Sequence, residues 1–189
     1  MHIGLYFGSF NPIHIGHLIV ANHMVEHSDI DKVWFVVSPH NPLKDAGSLL
    51  NEYDRLHLVE AAIAGNQKFR ASNVEFHLPK PSFTIDTLTY LKERFPLEKF
   101  TVIVGSDSFQ NIHRWKNFEA LVKDYSFLVY LRPGFPITQT HGANVVVMNA
   151  PLLEISSTFI RKLIKENKSI KYLLPEAVEN YILQNKYYK

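Results

Sequence analysis

The fold of this chain is decided by the stretch Gly8-Ser9-Phe10-Asn11-Pro12-Ile13-His14-Ile15-Gly16-His17. It follows an apolar run that ends at Phe7 and precedes an apolar-periodic segment that begins at Leu18. This order predicts a β-strand, a tight turn that contains glycine, and an α-helix. Backbone N–H groups in such a turn, with the positive end of the helix behind them, form a binding site for an anion. Because two histidines flank one glycine here, we expect the stretch to hold a phosphate group, and we name residues 8–17 the phosphate loop.

The same pattern of strand followed by helix recurs along the chain. Apolar and β-branched runs predict strands at residues 2–7, 32–37, 69–72, 100–104, 126–130 and 144–147. Helical patterns predict helices at residues 16–27, 52–64, 85–95, 118–122, 157–166 and 175–185. This alternation is typical of a Rossmann-like α/β fold, in which helices cover both faces of a mostly parallel sheet. We expect one domain over residues 1–189, with a small helical part from about residue 156, and long loops at residues 38–47 and 79–82.

Two turns that contain glycine follow predicted strands. The phosphate loop follows the first strand, and Gly105-Ser106-Asp107 follows the fourth. Ligands of open parallel sheets bind beyond the carboxyl ends of the strands. We therefore expect these two turns to open onto the same crevice.

Composition places the chain among ordinary globular proteins. Of its 189 residues, 46% are hydrophobic and 20% are charged, and the formal net charge of +2 is too small to indicate nucleic-acid binding. The absence of cysteine excludes disulfides, thiolate catalysis and cysteine-ligated zinc. Because the sequence shows neither a signal-peptide pattern nor an apolar run of about 18 residues, we expect a cytoplasmic protein with no membrane partner. The sequence leaves open whether the chain forms a homo-oligomer.

His14 and His17 allow three interpretations. Residues three apart share one face of a helix, so the pair could ligate a metal ion. However, Gly16 lies between them, Pro12 places His14 in the turn, and no acidic or cysteine ligand follows at a suitable spacing. The two residues could instead be buried structural histidines. Contact with a phosphate group is favoured because the surrounding turn accounts for it.

A second cluster of polar residues lies in Ile155-Ser156-Ser157-Thr158-Phe159-Ile160-Arg161. Ser156 or Ser157 can cap the helix that follows. Three consecutive hydroxyl residues exceed what one cap needs, and Arg161 lies about one turn into the helix, near the same face. Hydroxyls, helix N–H groups and a guanidinium together suit a polyphosphate. With the phosphate loop, this cluster predicts one site that holds several phosphates from two sides.

These two motifs resemble those of the nucleotidyltransferase superfamily with the His-x-Gly-His signature, in which they lie at the two ends of a Rossmann-like sheet. Further segments resemble, more closely, the bacterial nicotinate mononucleotide adenylyltransferases. These segments are Pro39-His40-Asn41-Pro42-Leu43-Lys44, Tyr53-Asp54-Arg55-Leu56, Pro81-Ser82-Phe83-Thr84-Ile85-Asp86-Thr87-Leu88, Gly105-Ser106-Asp107 with Trp115, Arg132-Pro133-Gly134-Phe135-Pro136, and Leu174-Pro175-Glu176-Ala177-Val178. The resemblance covers essentially the whole chain, and the middle segments select the family.

The resemblance implies a reaction in which ATP and nicotinate mononucleotide give nicotinate adenine dinucleotide and pyrophosphate, with Mg²⁺ bound alongside ATP. Transfer at phosphorus needs positioning and charge stabilisation more than covalent chemistry. We therefore expect direct in-line attack without a covalent enzyme intermediate. By resemblance, His14 and His17 contact the phosphates and Arg161 holds the leaving pyrophosphate. The other residues that the resemblance assigns to ATP are Gly8, Ser9, Phe10, Gly105, Asp107 (to a ribose), Ser156, Ser157 and Thr158.

The resemblance also implies a site for the flat, anionic pyridine of the mononucleotide. Trp115 stacks on the ring, Thr84 helps to bind the carboxylate, and Lys44 touches a phosphate from its loop. Each residue has a plainer interpretation as well. Trp115 could be core or rim packing, Thr84 could cap the helix that begins near residue 85, and Lys44 could be a solvated loop lysine.

Some positions stay outside the predicted site. Asn11 stands where many relatives have aspartate; it keeps the turn-forming hydrogen bonds without the charge. Arg55 is ambiguous between a surface ion pair and an anchor for a loop, and residues 132–136 are interpreted as a turn. The chain shows no acidic cage for Mg²⁺, which commonly keeps its waters and binds through substrate phosphates. We therefore predict no protein metal ligands.

Four alternatives remain at this stage. Phosphopantetheine adenylyltransferase shares the two phosphate motifs but lacks the matching middle segments, and an adenylyltransferase could prefer the amidated mononucleotide. A regulatory module could bind a nucleotide without catalysis, although both phosphate motifs are intact. A dinucleotide-binding oxidoreductase is disfavoured because no Gly-x-Gly-x-x-Gly follows the first strand.

Overall fold

A computed structural model describes residues 1–39 and 49–189. Its strands are β1 (His2–Gly8), β2 (Lys32–Val37), β3 (Phe69–Ser72), β4 (Lys99–Gly105), β5 (Ser126–Tyr130) and β6 (Asn144–Met148). They form one six-stranded sheet in the order β3-β2-β1-β4-β5-β6. Every neighbouring pair in this sheet is parallel. The predicted mostly parallel sheet is confirmed.

The helices of the described residues are α1 (Ile15–His27), α2 (Glu52–Ile63), α3 (Thr84–Arg94), α4 (Ser106–Phe109), α5 (Phe118–Asp124), α6 (Ser157–Lys165) and α7 (Glu176–Gln184). Short 3₁₀ turns lie at Val74–His77 and Ile112–Arg114. The six predicted helices and six predicted strands are present, with ends that differ by one or two residues. The sequence did not predict α4 or the 3₁₀ turns, because elements this short show no periodicity. Residues 79–82 form the predicted loop, and of the predicted loop at 38–47 all but residues 38 and 39 lie outside the described residues.

Helices cover both faces of the sheet. Met24 of α1, Leu58 of α2, Ile160 of α6 and Val178 of α7 pack in the core on one face. On the other face the core contains Leu88 of α3, Phe109 of α4 and Leu121 of α5. Buried on both faces, the inner strands are almost entirely apolar, as parallel strands require. In the described part of the chain, no helix has the length and apolar character needed to cross a membrane.

The direction in which the strands are added reverses between β1 and β4. The chain builds outward from β1 to β2 and β3, then returns to place β4 on the other side of β1. Open α/β sheets bind ligands at such a switch point, beyond the carboxyl ends of the two central strands. Here those ends are Gly8 and Gly105. The two turns singled out in the sequence therefore lie side by side.

Candidate active site

A crevice of about 650 Å³ lies at this switch point. Its lining includes Gly8 at the end of β1, Gly105 and Asp107 after β4, and Thr84 and Trp115 on the side of α3. The expectation that both glycine turns open onto one crevice is confirmed. Among the described residues, the lining does not include His14, His17 or Arg161.

The two histidines lie against each other at the start of α1. Their ring centroids are 3.7 Å apart and the ring planes are inclined by 29°. The backbone N–H of His14 donates to Nδ1 of His17 at 3.2 Å. An imidazole nitrogen that accepts a hydrogen bond carries no proton, so the proton of the neutral His17 ring is on Nε2. In this tautomer Nε2 is the N–H donor of the His17 ring.

His14 is buried and electrically neutral. Only 6% of its surface is exposed, and its Nδ1 makes no hydrogen bond with the described residues. Burial, followed by the positive charge of Arg132, lowers the pKa of His14 to about 4. A buried neutral histidine cannot contribute a fixed charge at pH 7. A neutral imidazole keeps one N–H donor and one acceptor nitrogen, so the predicted contact of His14 with a phosphate stays a prediction.

Arg55 holds the phosphate loop from behind. Its side chain is completely buried, although it begins in the first turn of α2. The guanidinium donates to the carbonyl oxygens of Ser9 at 2.6 Å, Ser38 at 2.8 Å, Pro39 at 3.0 Å and Leu50 at 2.8 Å. A planar fork of five N–H donors suits several carbonyls at once, which a lysine ammonium would not. The ambiguity left by the sequence is resolved in favour of a loop anchor.

The start of α6 is tied to the phosphate loop by two hydrogen bonds. The Ser157 hydroxyl donates to the Pro12 carbonyl at 2.8 Å, and Nη1 of Arg161 donates to the Asn11 carbonyl at 2.7 Å. The positions joined are 145 and 150 residues apart in the sequence. The two polar clusters predicted to form one site are therefore in direct contact.

The three hydroxyls of this cluster all have structural partners. The Ser156 hydroxyl accepts the N–H of Phe159 at 3.1 Å and caps α6, as predicted. Besides the contact of Ser157 with Pro12, Oγ1 of Thr158 accepts from Arg161 at 3.3 Å. Of the two hydroxyls that do not cap the helix, that of Ser157 holds α6 against the phosphate loop and that of Thr158 orients Arg161. The N–H groups at the start of α6 still point out of the helix end and favour an anion.

Two glycines let other groups come close to the backbone of the crevice. A Cβ on Gly105 would lie 2.5 Å from Oδ1 of Asp107, and one on Gly8 would lie 2.8 Å from the Phe10 ring. The Phe10 side chain itself is buried and packs on the His17 ring at 5.2 Å. Of the predicted ATP residues, Gly8, Gly105 and Asp107 line the crevice, whereas Phe10 can present only its backbone.

Arg132 is a charged residue next to the crevice residue Asp107 that the sequence reasoning left out of the site. The segment does turn, with Gly134 at φ +82°, but Nε of Arg132 lies 3.3 Å from Oδ1 of Asp107. Its backbone N–H donates to the Ser106 hydroxyl at 2.8 Å. The charge is also near enough to lower the pKa of His14. The signal that could have found it is its position two residues after the end of β5, a parallel strand next to β4.

The wall on the side of α3 is formed by residues 82–87 and Trp115, and we name it the α3 wall. Thr84 lines the crevice as the first residue of α3, whereas the N-cap position belongs to Phe83. The alternative that Thr84 caps this helix is therefore wrong, because its backbone is already helical. Trp115 is half-buried, lines the crevice and packs on the core beneath it. Both of its interpretations, ligand contact and packing, fit this position.

Other charged residues on this side were also missed. Arg114 and Lys116 line the crevice, and Nζ of Lys116 lies 2.8 Å from Asp86 and 4.8 Å from the centre of the Phe83 ring. Glu75 also lines it although only 2% of its surface is exposed. They form no motif that the sequence shows, so only the tertiary structure reveals them.

Lys44 lies outside the described residues, and its predicted contact with a phosphate stays a prediction. Within the described ranges, no group of three or more His, Cys, Asp or Glu side chains could hold a metal ion.

Comparisons with known proteins agree with this geometry. A family model described as "Cytidylyltransferase-like" matches residues 5–163. The chain is 54% identical over 190 residues to a probable nicotinate-nucleotide adenylyltransferase of Cytophaga hutchinsonii, with 100% of this chain and 98% of that protein covered. It is 48% identical to a probable nicotinate-nucleotide adenylyltransferase of Flavobacterium psychrophilum, with both chains covered completely.

A solved structure also resembles the whole chain. It is Plasmodium falciparum nicotinic acid mononucleotide adenylyltransferase complexed with NaAD, with a TM-score of 0.84 and 25% sequence identity. The alignment covers 99% of this chain and 97% of that chain. The likeness therefore extends over the sheet, the phosphate loop and the C-terminal helices together.

Proposed function

We propose that this chain, which belongs to the nicotinate-nucleotide adenylyltransferase family, transfers the adenylyl group of ATP to nicotinate mononucleotide, releasing pyrophosphate. One observation carries the proposal. The phosphate loop and the start of α6 are hydrogen-bonded to each other, beside a crevice lined by Thr84 and Trp115. We also propose that residues 1–189 form one domain, because α6 and α7 pack on the same core as α1.

The proposed reaction is a single displacement at phosphorus. An oxygen of the 5′-phosphate of nicotinate mononucleotide forms a bond to the α-phosphorus of ATP. The bond from that phosphorus to the oxygen that bridges it to the β-phosphate breaks, and pyrophosphate leaves with the electron pair. Such transfers depend on alignment and on neutralising the charge of the phosphate oxygens. The chain needs no residue that becomes covalently modified.

The histidine pair and α6 stabilise the charge in this step. His17 donates from Nε2 to an oxygen of the reacting phosphate, and the neutral His14 ring keeps His17 oriented through their stacking. Arg161 and the N–H groups at the start of α6 hold the leaving pyrophosphate, which the positive end of a helix suits. Arg161 is already oriented by the Asn11 carbonyl and the Thr158 hydroxyl.

The turns that follow β1 and β4 position the nucleotide. The backbone of Gly8, Ser9 and Phe10 borders the phosphates, and Asp107 accepts hydrogen bonds from a ribose. Arg132 holds the Asp107 carboxylate at 3.3 Å and adds positive charge near the histidine pair. The guanidinium thereby balances a carboxylate that would otherwise repel a triphosphate.

The α3 wall selects the acceptor. Trp115 stacks on the pyridine ring, and Thr84, with the N–H groups of the first turn of α3, binds the ring carboxylate. Arg114 and Lys116, which line the same crevice, add a positive potential that favours an acid over an uncharged amide. Lys44 is proposed to reach a phosphate from its loop.

Adenylyltransferases of this kind use a divalent cation, and we propose that it is Mg²⁺ bound to the triphosphate. Mg²⁺ retains waters and needs few protein ligands, so it can be held through the phosphate oxygens. When bound, the cation neutralises charge on the phosphate oxygens. The residues named in the preceding paragraphs orient the two nucleotides.

Pyrophosphate release tests this proposal. ATP and Mg²⁺ are incubated with the purified protein and one acceptor at a time: nicotinate mononucleotide, its amide, or phosphopantetheine. A strong preference for the nicotinate acceptor is the expected result. Preference for the amide would overturn the assignment of the α3 wall, and activity only with phosphopantetheine would overturn the acceptor class. Folded protein that binds ATP but releases pyrophosphate with none of them would be a nucleotide-binding module.

A further inference from the structure

Glu75 is a buried carboxylate that the proposed mechanism leaves unused. It lies in the 3₁₀ turn Val74–His77, between β3 and α3. Only 2% of its surface is exposed, yet it is part of the lining of the crevice. Buried glutamates are rare unless they are paired or hydrogen-bonded. Its partners therefore indicate what it does.

Those partners are hydroxyl groups from the α3 wall. The Ser82 hydroxyl donates to Oε2 of Glu75 at 2.9 Å, and the Thr87 hydroxyl donates to Oε1 at 2.9 Å. The side chain of Ser38 hydrogen-bonds to it as well. Ser82 and Thr87 bracket Phe83 and Thr84, so one carboxylate is bonded to both ends of the segment that carries the proposed acceptor contacts.

No cation compensates this carboxylate within the described ranges, where the recorded ion pairs do not include Glu75. Burial raises the pKa of Glu75, and the hydroxyl donors oppose that rise. A buried carboxyl group without a cation is costly. An apolar side chain could fill the same space at a lower cost in free energy. The carboxylate is therefore best explained by the hydroxyls that it orients.

We propose that Glu75 is a positioning residue of the mononucleotide site, which fixes the α3 wall by accepting the hydroxyls of Ser82 and Thr87. The inference rests on the proposed function and deepens it. Glu75 sets where Thr84 and the first turn of α3 meet the pyridine, and it does not itself touch the reacting phosphate. The effect of losing it therefore falls on acceptor binding and leaves ATP binding unchanged.

The Glu75→Gln variant tests this assignment. Glutamine has nearly the same shape, but its NH₂ group cannot accept a hydrogen bond, so one of the two hydroxyls must turn away. The expected result is a rise of about tenfold in KM for nicotinate mononucleotide, with KM for ATP unchanged. The matched control is Glu98→Gln, a partly buried carboxylate that pairs with the α-amino group at the amino end of the sheet.

A second pair of variants keeps the test decisive if Glu75→Gln folds poorly. Thr87→Val removes the hydroxyl donated to Glu75, whereas Thr89→Val removes a hydroxyl bonded to the Ile85 carbonyl on the same helix. The first is expected to raise KM for the mononucleotide, Thr87→Ser to restore it, and Thr89→Val to leave it unchanged. In combination with Ser82→Ala, Thr87→Val should show a non-additive effect, because the two hydroxyls share one partner.

The outcomes separate this inference from the function on which it rests. If the wild-type protein does not use nicotinate mononucleotide, the proposed function fails. If the wild type uses it, two results would show that the positioning role of Glu75 is wrong. In the first, Glu75→Gln or Thr87→Val raises KM for ATP and KM for the mononucleotide equally. In the second, the variant raises neither KM. A change confined to thermal stability would also overturn it, since that is what packing alone would give.

Discussion

The phosphate loop and the α3 wall lie at the same edge of the sheet but are held in place by different contacts. The loop is fixed through its backbone, since Arg55, Ser157 and Arg161 all donate to loop or neighbouring carbonyl oxygens. The α3 wall is fixed through side-chain hydroxyls that converge on Glu75. One side chain of the loop, Asn11, also accepts hydrogen bonds from outside the loop, so the loop is held mainly through its backbone carbonyls. We therefore expect substitutions in the α3 wall to alter acceptor binding, and substitutions of the donors to the loop to alter the shape of the loop.

The largest expected effect is that of removing Arg55, the anchor of the phosphate loop. Replacement of Arg55 by Met leaves four carbonyl oxygens, one buried and three partly buried, without this donor. We expect the free energy of unfolding to fall by about 4 kcal/mol, as when a buried charged partner is removed. Urea denaturation measures it, with Arg94→Met, an exposed arginine at the end of α3, as the control. Equal losses in the two variants would show that the loop does not depend on Arg55.

Loss of the His17 ring is expected to reduce catalysis without unfolding the protein. His17→Ala removes the Nε2 donor, and the loss of one such donor typically lowers kcat by about 100- to 1,000-fold. Steady-state kinetics should show this fall with KM for the mononucleotide unchanged. His27→Ala, on an exposed position of the same helix, is the control. Unchanged turnover in His17→Ala would remove the residue from the proposed mechanism.

Acidification should destabilise the phosphate loop through His14. The pKa of His14 is lowered from 6.5 to about 4 in the folded protein, so between these values the unfolded chain binds a proton that the folded one does not. Stability therefore falls as the pH drops from about 6.5 to about 4, by about 3 kcal/mol from this residue. Denaturation of the wild type and of His14→Asn at pH 7.5 and pH 4 measures the difference between them.

The wild type is expected to lose more stability than His14→Asn over this interval, and His77→Asn, at an exposed position, should behave as the wild type does. Identical losses in all three proteins would mean that His14 is protonated as easily in the folded state as in the unfolded state.

The smallest expected effect is that of removing the Trp115 ring from the α3 wall. Trp115→Ala removes the proposed stacking surface, and such stacking is worth about 1–3 kcal/mol per base. KM for nicotinate mononucleotide should rise about tenfold, while KM for ATP stays the same. Tyr172→Ala, which truncates an aromatic ring that is 83% exposed, serves as the control. A rise in both KM values would assign Trp115 to packing alone.

Much of the fold could be predicted from the sequence because it depends on local patterns. The parallel strands are nearly continuous apolar runs, and each long helix has a period that the sequence displays. The phosphate loop and the start of α6 were predictable for the same reason, since glycine, proline and serine mark turns and caps. The sequence predicted that the two motifs form one site, but not that Ser157 and Arg161 would bond directly to carbonyl oxygens of the loop.

The rest depends on contacts between distant segments. The guanidinium of Arg132 lies near Asp107 because β5 is the neighbour of β4 in the sheet. Glu75 looks like any surface glutamate in the sequence, and its burial follows from the packing of the 3₁₀ turn under α3. Arg55 has the sequence environment of a surface helix residue, yet it reaches four carbonyls across the core side of the loop.

The central claim is that the phosphate loop supports one direct displacement at the α-phosphorus, although its two histidines are also possible nucleophiles. The stereochemical course of the reaction decides between these roles. An ATP analogue with sulfur at the α-phosphorus in one known configuration is converted with nicotinate mononucleotide, and the configuration of the product is determined. Inversion at phosphorus is predicted, because a single in-line attack inverts the centre. Retention would contradict the account, since it requires two displacements through a nucleotide bound covalently to the protein.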